Sequence, residues 1–252
     1  MIKAITFDLW DTIVDDDSDE PKRAAKGLRT KKEERRHIVW SALNEVEAID
    51  LETVNLAYDV ADASFNIVWK ELFINWTVEQ RINAILNGLG RRLPEELFNR
   101  VVKETGDMEV NIAPNAIEGV KEALADLASR YKLCIVSDAI VTPGTGLRQI
   151  LEDYDLKQYF SGFAFSDEVG HSKPHRSMFD TAASQVGVKV EEMLHIGDRD
   201  HNDIKGPHAL GMKAILFTAT RDADKDHTTA DAIVDSYADL PATIDRLAEL
   251  SR

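Results

Sequence analysis

Three short apolar runs, far apart in the chain, limit the possible folds more than any other feature: residues 2–7 (IKAITF), 133–136 (LCIV) and 193–196 (MLHI). Each is rich in β-branched or large aliphatic residues and gives way to a polar or glycine residue, as strands buried on both faces of a parallel sheet do. Helical periodicity precedes or follows each run, which makes them βα units. The fold expected is α/β, with a Rossmann-like doubly wound parallel sheet. In such open sheets ligands bind outside the carboxyl ends of the strands. Asp8, Ser137 and Asp198 emerge at those ends.

The side chains near these ends make sense together around a phosphoryl group and a divalent cation. An aspartate carboxylate can attack phosphorus and split one hard displacement into two easier steps. Nucleophile and phosphate repel each other, so a cation must offset the charge. Mg²⁺ suits oxygen ligands and takes one or two carboxylates, several waters and the phosphate itself. Asp8 and Asp198 fit that role, with Asp203 beside them. Lys173 places a point charge against the nucleophile and the phosphoryl oxygens. Ser137, Asp138 and the backbone amides around them are placed to hold a further oxygen.

The stretches ITFDLWDT, KLCIVSD, GHSKP and HIGDRDHND resemble, in order, the four motifs of the haloacid dehalogenase superfamily of aspartate-nucleophile hydrolases, most of which are Mg²⁺-dependent phosphatases. Asp8 with Thr12 matches the first, Ser137 the second, Lys173 with Pro174 the third, and Gly197, Asp198, Asn202 and Asp203 the fourth. The following DIKGPHALGM resembles the family's next helix, with Pro207, tolerated at a first helical position, in place of the more usual alanine. The resemblance implies that Thr12 helps to fix the nucleophile loop and that the Trp10 backbone carbonyl joins Asp8, Asp198 and Asp203 around Mg²⁺. Asn202 is read as ordering the acidic loop through local backbone bonds. The implied reaction is hydrolysis of a small phosphorylated metabolite through an aspartyl phosphate.

One departure carries weight. In the family's phosphatases the residue two past the nucleophile is a second aspartate, which protonates the leaving oxygen and later activates water. Here that position is Trp10, and Asp11 falls where the family commonly has glycine or asparagine. Positioned proton transfer is worth roughly 10²- to 10⁴-fold, or about 3 to 5 kcal/mol. The expectation is a preference for activated phosphates or slow turnover. The 2-haloacid dehalogenases place an aromatic residue there, displace halide from carbon and need no metal. They lack the acidic fourth motif that this chain keeps in Asp198 and Asp203. Dehalogenation, and a weakly active binding or regulatory role, stand as alternatives.

The α/β pattern is interrupted after Val14. Up to about Ile112, residues 38–49, 54–73, 78–88 and 94–106 read as amphipathic helices, the last opening with proline and closing on glycine. This resembles the helical cap that family members insert, so the expected division is a core of residues 1–14 and 113–252 with a cap at 15–112. Within it Phe65, Trp69 and Phe73 read as bundle core. The acidic run of Asp15, Asp16, Asp17, Asp19 and Glu20 reads as a solvated linker, and the basic residues of 22–36 as an exposed charged helix. His171, His175, Arg199 and His201, near the motifs, read as surface groups.

Charge and composition exclude more than they identify. A formal net charge of −15 argues against binding nucleic acid or an anionic membrane, and no run approaches the length of a membrane span. The N-terminus reads as the first strand rather than a leader. Cys134, the single cysteine, has no intrachain partner for a disulfide and reads as core packing, and the cytoplasm is the expected compartment. The expected partner is a small-molecule substrate, and oligomeric state is not readable.

Overall fold

Backbone pairing puts the three apolar runs side by side at the centre of one sheet. The computed structural model describes residues 1–250. Its elements run β1 (Ala4–Phe7), β2 (Val14–Asp15), α1 (Glu20–Ala25), α2 (Lys31–Val46), α3 (Leu51–Leu72), α4 (Val78–Gly88), α5 (Glu95–Gly106), α6 (Met108–Asn111) and β3 (Asn115–Ala116). They continue α7 (Val120–Ala128), β4 (Lys132–Ser137), α8 (Gly144–Asp153), β5 (Phe160–Phe165), α9 (Ser166–Val169), α10 (Arg176–Val186), β6 (Met193–Gly197), α11 (Gly206–Ala209), β7 (Lys213–Phe217), β8 (Ala232–Val234) and α12 (Leu240–Leu250). Six strands form a wholly parallel sheet in the order β5-β4-β1-β6-β7-β8. Phe7 of β1 pairs with Ile135 on one side and Ile196 on the other. The order reverses at β1, the position where open α/β sheets form their crevice.

Alternation along the strands sorts the core into two layers. Ile5, Phe7, Ile135 and Ile196 face α7, α8 and α12 and pack against Leu124, Leu147 and Ile244. Ala4, Cys134, Val136 and Ala164 face α10 and meet Met178, Phe179 and Ala182. Each large apolar side chain buried this way contributes about 1.5–3 kcal/mol. Cys134 is fully buried, and burial pushes its thiol up to about 12.

The helices α1 to α6 are inserted between β2 and β3, which pair antiparallel as a short ribbon, so the outgoing and returning connections run side by side. Ile38, Val39, Leu43, Val54, Tyr58, Ile82, Ile85 and Val101 build a separate apolar core for the insertion. Helix α2 starts well before residue 38 because Thr30 and Glu33 form a capping box that opens it at Lys31. The intervening turns are charged and carry no apolar period to read.

Those charged turns correct two expectations. Lys31 is buried, and its Nζ lies 2.9 Å from Asp19 Oδ1, 3.0 Å from Glu109 Oε1 and 2.9 Å from Asp17 Oδ1. Asp19 is 0% exposed, so the acidic run is not simply a solvated linker. Arg36 is buried too and reaches Asp59 at 2.6 Å. A charge is buried only when paired, and these partners lie on other elements, so local pattern could not reveal them. Among the described residues no helix is long and apolar enough to cross a membrane.

Candidate active site

Asp8 leaves the carboxyl end of β1 with its N–H donated to the Ile196 carbonyl of β6 at 2.8 Å, which ties the nucleophile candidate to the neighbouring strand. Its Oδ1 accepts from the Leu9 N–H at 2.7 Å and lies 2.8 Å from Lys173 Nζ. Lys173 also donates to Asp203 Oδ1 at 2.7 Å, and its backbone N–H donates to Asp138 Oδ1 at 2.9 Å. The sequence separates Asp8, Asp138, Lys173 and Asp203 by up to 195 positions (203 − 8), and the fold brings them together.

The electrostatics follow from the burial. Burial alone would disfavour the Lys173 ammonium, but Asp203, Asp8 and Asp138 outweigh it and hold the group above the ordinary lysine range. For Asp203, burial again works against the charge. Lys173 and His195 prevail and hold the carboxyl well below the usual range. Asp198 goes the other way: burial, then the like charges of Asp203 and Asp8, push it up to about 8. Burial raises Asp138 to about 7 despite the attraction of Lys173.

Three carboxylates, Asp8, Asp198 and Asp203, place ligand atoms within 4.8 Å of one another. Among the described residues both buried oxygens of Asp198 have no hydrogen-bond partner, and Arg199 and Arg221 stand at 3.6 Å, beyond hydrogen-bond reach. An all-oxygen donor set with an orphaned buried carboxylate fits a hard divalent cation such as Mg²⁺. Asp203 is already engaged. Its Oδ1 serves Lys173 and His195, and its Oδ2 accepts from the Arg199 N–H at 2.9 Å. Gly197 permits this approach, since a Cβ there would lie 2.3 Å from Asp203 Cγ.

Ser137 and Thr12 are fully buried, and their hydroxyl oxygens have no hydrogen-bond partner among the described residues. Ser137 lies two residues beyond Ile135, the partner of Phe7, and so at the same sheet edge as Asp8. The Thr12 carbonyl accepts from the Tyr237 hydroxyl, which pins the loop after β1. Asn202 is half-buried, lines the cavity and makes no side-chain hydrogen bond among the described residues. Asp203, bonded to Arg199 through both backbone and side chain, ties that loop instead.

Over Asp8 lies a cavity of about 250 Å³. Asp8, Trp10, Asp138, Lys173 and Asn202 line it from the core, and Lys31, Arg35, Trp69 and Glu109 from the insertion. Trp10 turns its indole N–H to the Asp138 carbonyl at 3.0 Å. Asp11, at φ 53, directs its carboxylate to the Thr220 hydroxyl at 3.1 Å and does not line the cavity. The stripe on α3 divides: Phe65 is buried against Trp69 and Trp76, while Trp69 reaches out to donate to Asp138 Oδ2 at 3.2 Å. Trp69 is therefore a wall of the site rather than bundle core. Of the loop groups, Arg199 lines the cavity, His171 and His175 stack on each other at 3.9 Å, and His201 is exposed near Phe73. Sequence reading missed Lys31, Arg35, Glu109 and Trp69 as site residues, and helical spacing offered no signal for the first three.

The chain is 30% identical over 227 residues to the phosphoglycolate phosphatase of Salmonella paratyphi A, covering 81% of this chain and 86% of that protein. It is 30% identical over 115 residues to the glyceraldehyde 3-phosphate phosphatase of Methanopyrus kandleri, covering 44% of this chain and about half, 49%, of that protein. In structure it is similar to the 2-haloacid dehalogenase of Pseudomonas syringae pv. Tomato DC3000, with a TM-score of 0.66 at 19% identity over 98% of this chain and 100% of that one, a likeness of fold. The family model for haloacid dehalogenase-like hydrolases matches residues 2–211, a span that holds Asp8, Ser137, Lys173, Asp198 and Asp203, and the chain belongs to that family of hydrolases.

Proposed function

We propose that this hydrolase is a Mg²⁺-assisted phosphatase of small phosphorylated metabolites, working through an aspartyl phosphate on Asp8 and favouring substrates with good leaving groups. The observation that carries this reading is the orphaned, buried carboxylate of Asp198 beside Asp8 and Asp203. Asp8 and Asp198 would hold the ion, together with the Trp10 backbone carbonyl. Asp203 completes the acidic set while orienting Lys173. The ion, when bound, offsets the charge of the approaching phosphate.

The chain's own residues supply the rest. Asp8 Oδ1 takes both donors, from Leu9 and Lys173, which leaves Oδ2 as the attacking atom. Oδ2 forms a bond to phosphorus as the bond to the leaving oxygen breaks, and water then cleaves the acyl phosphate to regenerate Asp8. Lys173 and the Ser137 hydroxyl bind the non-bridging oxygens, and Thr12 steadies the loop. With Trp10 two residues beyond Asp8 and Asp11 turned to Thr220, no carboxylate from this loop meets the leaving oxygen. An aryloxide or carboxylate departs unaided, whereas an alkoxide does not.

The aromatic residue at position 10 favours a second reading, displacement of halide from a 2-haloacid by the same Asp8. Asp198 and Asp203 weigh against it, because two retained carboxylates repel an anionic substrate unless a cation is present. A screen of phosphorylated metabolites and 2-haloacids, each with Mg²⁺ and with EDTA, separates the two. Phosphate release abolished by EDTA supports the phosphatase, and chloride release indifferent to EDTA overturns it.

A further inference from the structure

Beneath Asp8, on the sheet face covered by α10, lies a polar pair that the proposed chemistry leaves unused. The neighbours in that layer are apolar, among them Ala4, Val136, Ala164 and Met178. Thr6 and His195 stand among them, both 0% exposed and facing each other as register partners across β1 and β6. Thr6 Oγ1 lies 2.7 Å from His195 Nδ1, and His195 Nε2 lies 3.1 Å from Asp203 Oδ1. Phe179 of α10 sets its ring at 89° to the imidazole with centroids 5.3 Å apart. Asp203 Oδ1 also takes Lys173 Nζ, and Lys173 reaches Asp8. Thr6, His195, Asp203, Lys173 and Asp8 form one unbroken buried chain.

The bonding sets a direction along this chain. Asp203 Oδ1 accepts from Lys173, and an ionised carboxylate only accepts, so His195 presents Nε2–H to it. Nδ1 is then the acceptor for the Thr6 hydroxyl, whose other possible acceptor, the Leu194 carbonyl, is farther away at 3.4 Å. The tautomer is thus assigned from the network. A polar pair in an apolar layer costs free energy unless both members are satisfied, and an apolar pair would fill the layer without that demand. What the polar pair adds is a fixed orientation of Asp203. The Arg199 N–H holds Oδ2 from one side and His195 holds Oδ1 from beneath.

We propose that Thr6 and His195 are positioning residues, which lock the Asp203 carboxylate so that it presents the Lys173 ammonium to Asp8. The kinetic part of this proposal rests on the phosphatase reading, and the geometric part does not. Partners of this kind typically change activity roughly 10- to 100-fold when removed.

Three single variants test it: His195→Leu, which removes the ring donor; His195→Gln, which keeps an N–H near the Nε2 position; and Thr6→Val, which removes the hydroxyl at nearly constant shape. In metal-free protein, nitrogen NMR of the His195 ring is expected to show a proton on Nε2 and none on Nδ1. The ¹H–¹⁵N signal of the Lys173 ammonium is expected to stay in place in His195→Gln and to move or broaden in His195→Leu and Thr6→Val. With p-nitrophenyl phosphate and Mg²⁺, kcat is expected to fall at least about tenfold in His195→Leu, with KM little changed, and to recover in His195→Gln. The double variant Thr6→Val/His195→Leu is expected to be no worse than His195→Leu alone. A Lys173 signal unmoved in Thr6→Val, a proton on Nδ1, or equal losses of kcat in the Gln and Leu variants would overturn the proposal. If His195→Leu does not fold, the spectra of Thr6→Val and His195→Gln decide. If the parent hydrolyses no phosphate ester, the phosphatase reading falls and the Lys173 signal still decides the positioning role.

Discussion

Trp10 gives its indole N–H to the backbone carbonyl of Asp138, 3.0 Å away. Trp69, from the inserted helices, donates to the carboxylate of the same residue at 3.2 Å. One residue at the end of β4 therefore anchors both tryptophans that border the cavity, one from the core and one from the insertion. The position where the family's phosphatases carry a second aspartate is committed here to a wall, and an indole has no proton to exchange at neutral pH.

Restoring a carboxylate there should change the leaving-group dependence of the reaction. In Trp10→Asp, hydrolysis of alkyl phosphates is expected to rise by as much as roughly 10²- to 10⁴-fold, with a much smaller gain for p-nitrophenyl phosphate. The measurement is kcat/KM across a series of leaving groups of graded acidity. Parallel plots for parent and variant would remove this account of Trp10.

Asp138 makes stability depend on pH in a defined direction. Burial raises its carboxyl from the ordinary 3.8 to about 7 in the folded protein. Between these values the folded state keeps a proton that the unfolded chain has released, so stability falls as pH rises through the window. Asp16, at about 6, and Asp198, at about 8, act in the same sense. Asp138→Asn should therefore lessen the loss of stability between pH 5 and pH 7 without abolishing it, as read from urea unfolding at both pH values. An unchanged slope would show that Asp138 does not hold the proton.

Lys31 is expected to matter for folding more than a surface lysine would. Its removal leaves Asp19, 0% exposed, without its counter-charge and the buried Glu109 with only Arg35, 3.7 Å away. Breaking a buried pair from one side costs about 3–5 kcal/mol. Lys31→Met should lose that much in denaturant unfolding. A loss typical of an exposed pair, under about 1 kcal/mol, would contradict the buried network.

Gly197 gives a test of the cation site that does not touch a ligand. Because a Cβ there would stand 2.3 Å from Asp203 Cγ, Gly197→Ala must displace that carboxylate. Mg²⁺ affinity, read from the dependence of the melting temperature on Mg²⁺ concentration, is expected to weaken by about tenfold or more. Parent-like affinity would mean that Asp203 takes no part in holding the ion.

The centre of the fold was legible because β1, β4 and β6 are buried on both faces and so read as short, mostly apolar runs. Strands β5, β7 and β8 were not named from sequence. Ser161 and Gly162 interrupt β5, and β8 is three residues long and half-exposed. Helix α4 was readable to the residue, since an apolar period and a Thr77–Gln80 capping box agree. The start of α2 was hidden because its first turns are charged. At the site, the strand-end residues Asp8, Ser137 and Asp198 could be grouped from position alone. The far wall of Lys31, Arg35 and Glu109 could not be, because its members join through ion pairs between α2, the acidic turn and α6. His195 was invisible for the opposite reason: it occupies a core position in a buried strand, and only the structure shows Thr6 on one side of its ring and Asp203 on the other.

The most direct measurement is mass spectrometry of the acid-quenched protein after brief mixing with acetyl phosphate, with Mg²⁺ or with EDTA. Expected is a phosphoryl group on the peptide that holds Asp8, present with Mg²⁺ and absent with EDTA and in Asp8→Asn. Turnover with no label on Asp8, or a label that forms equally well in EDTA, would contradict an aspartyl phosphate formed beside a cation held by Asp8 and Asp198.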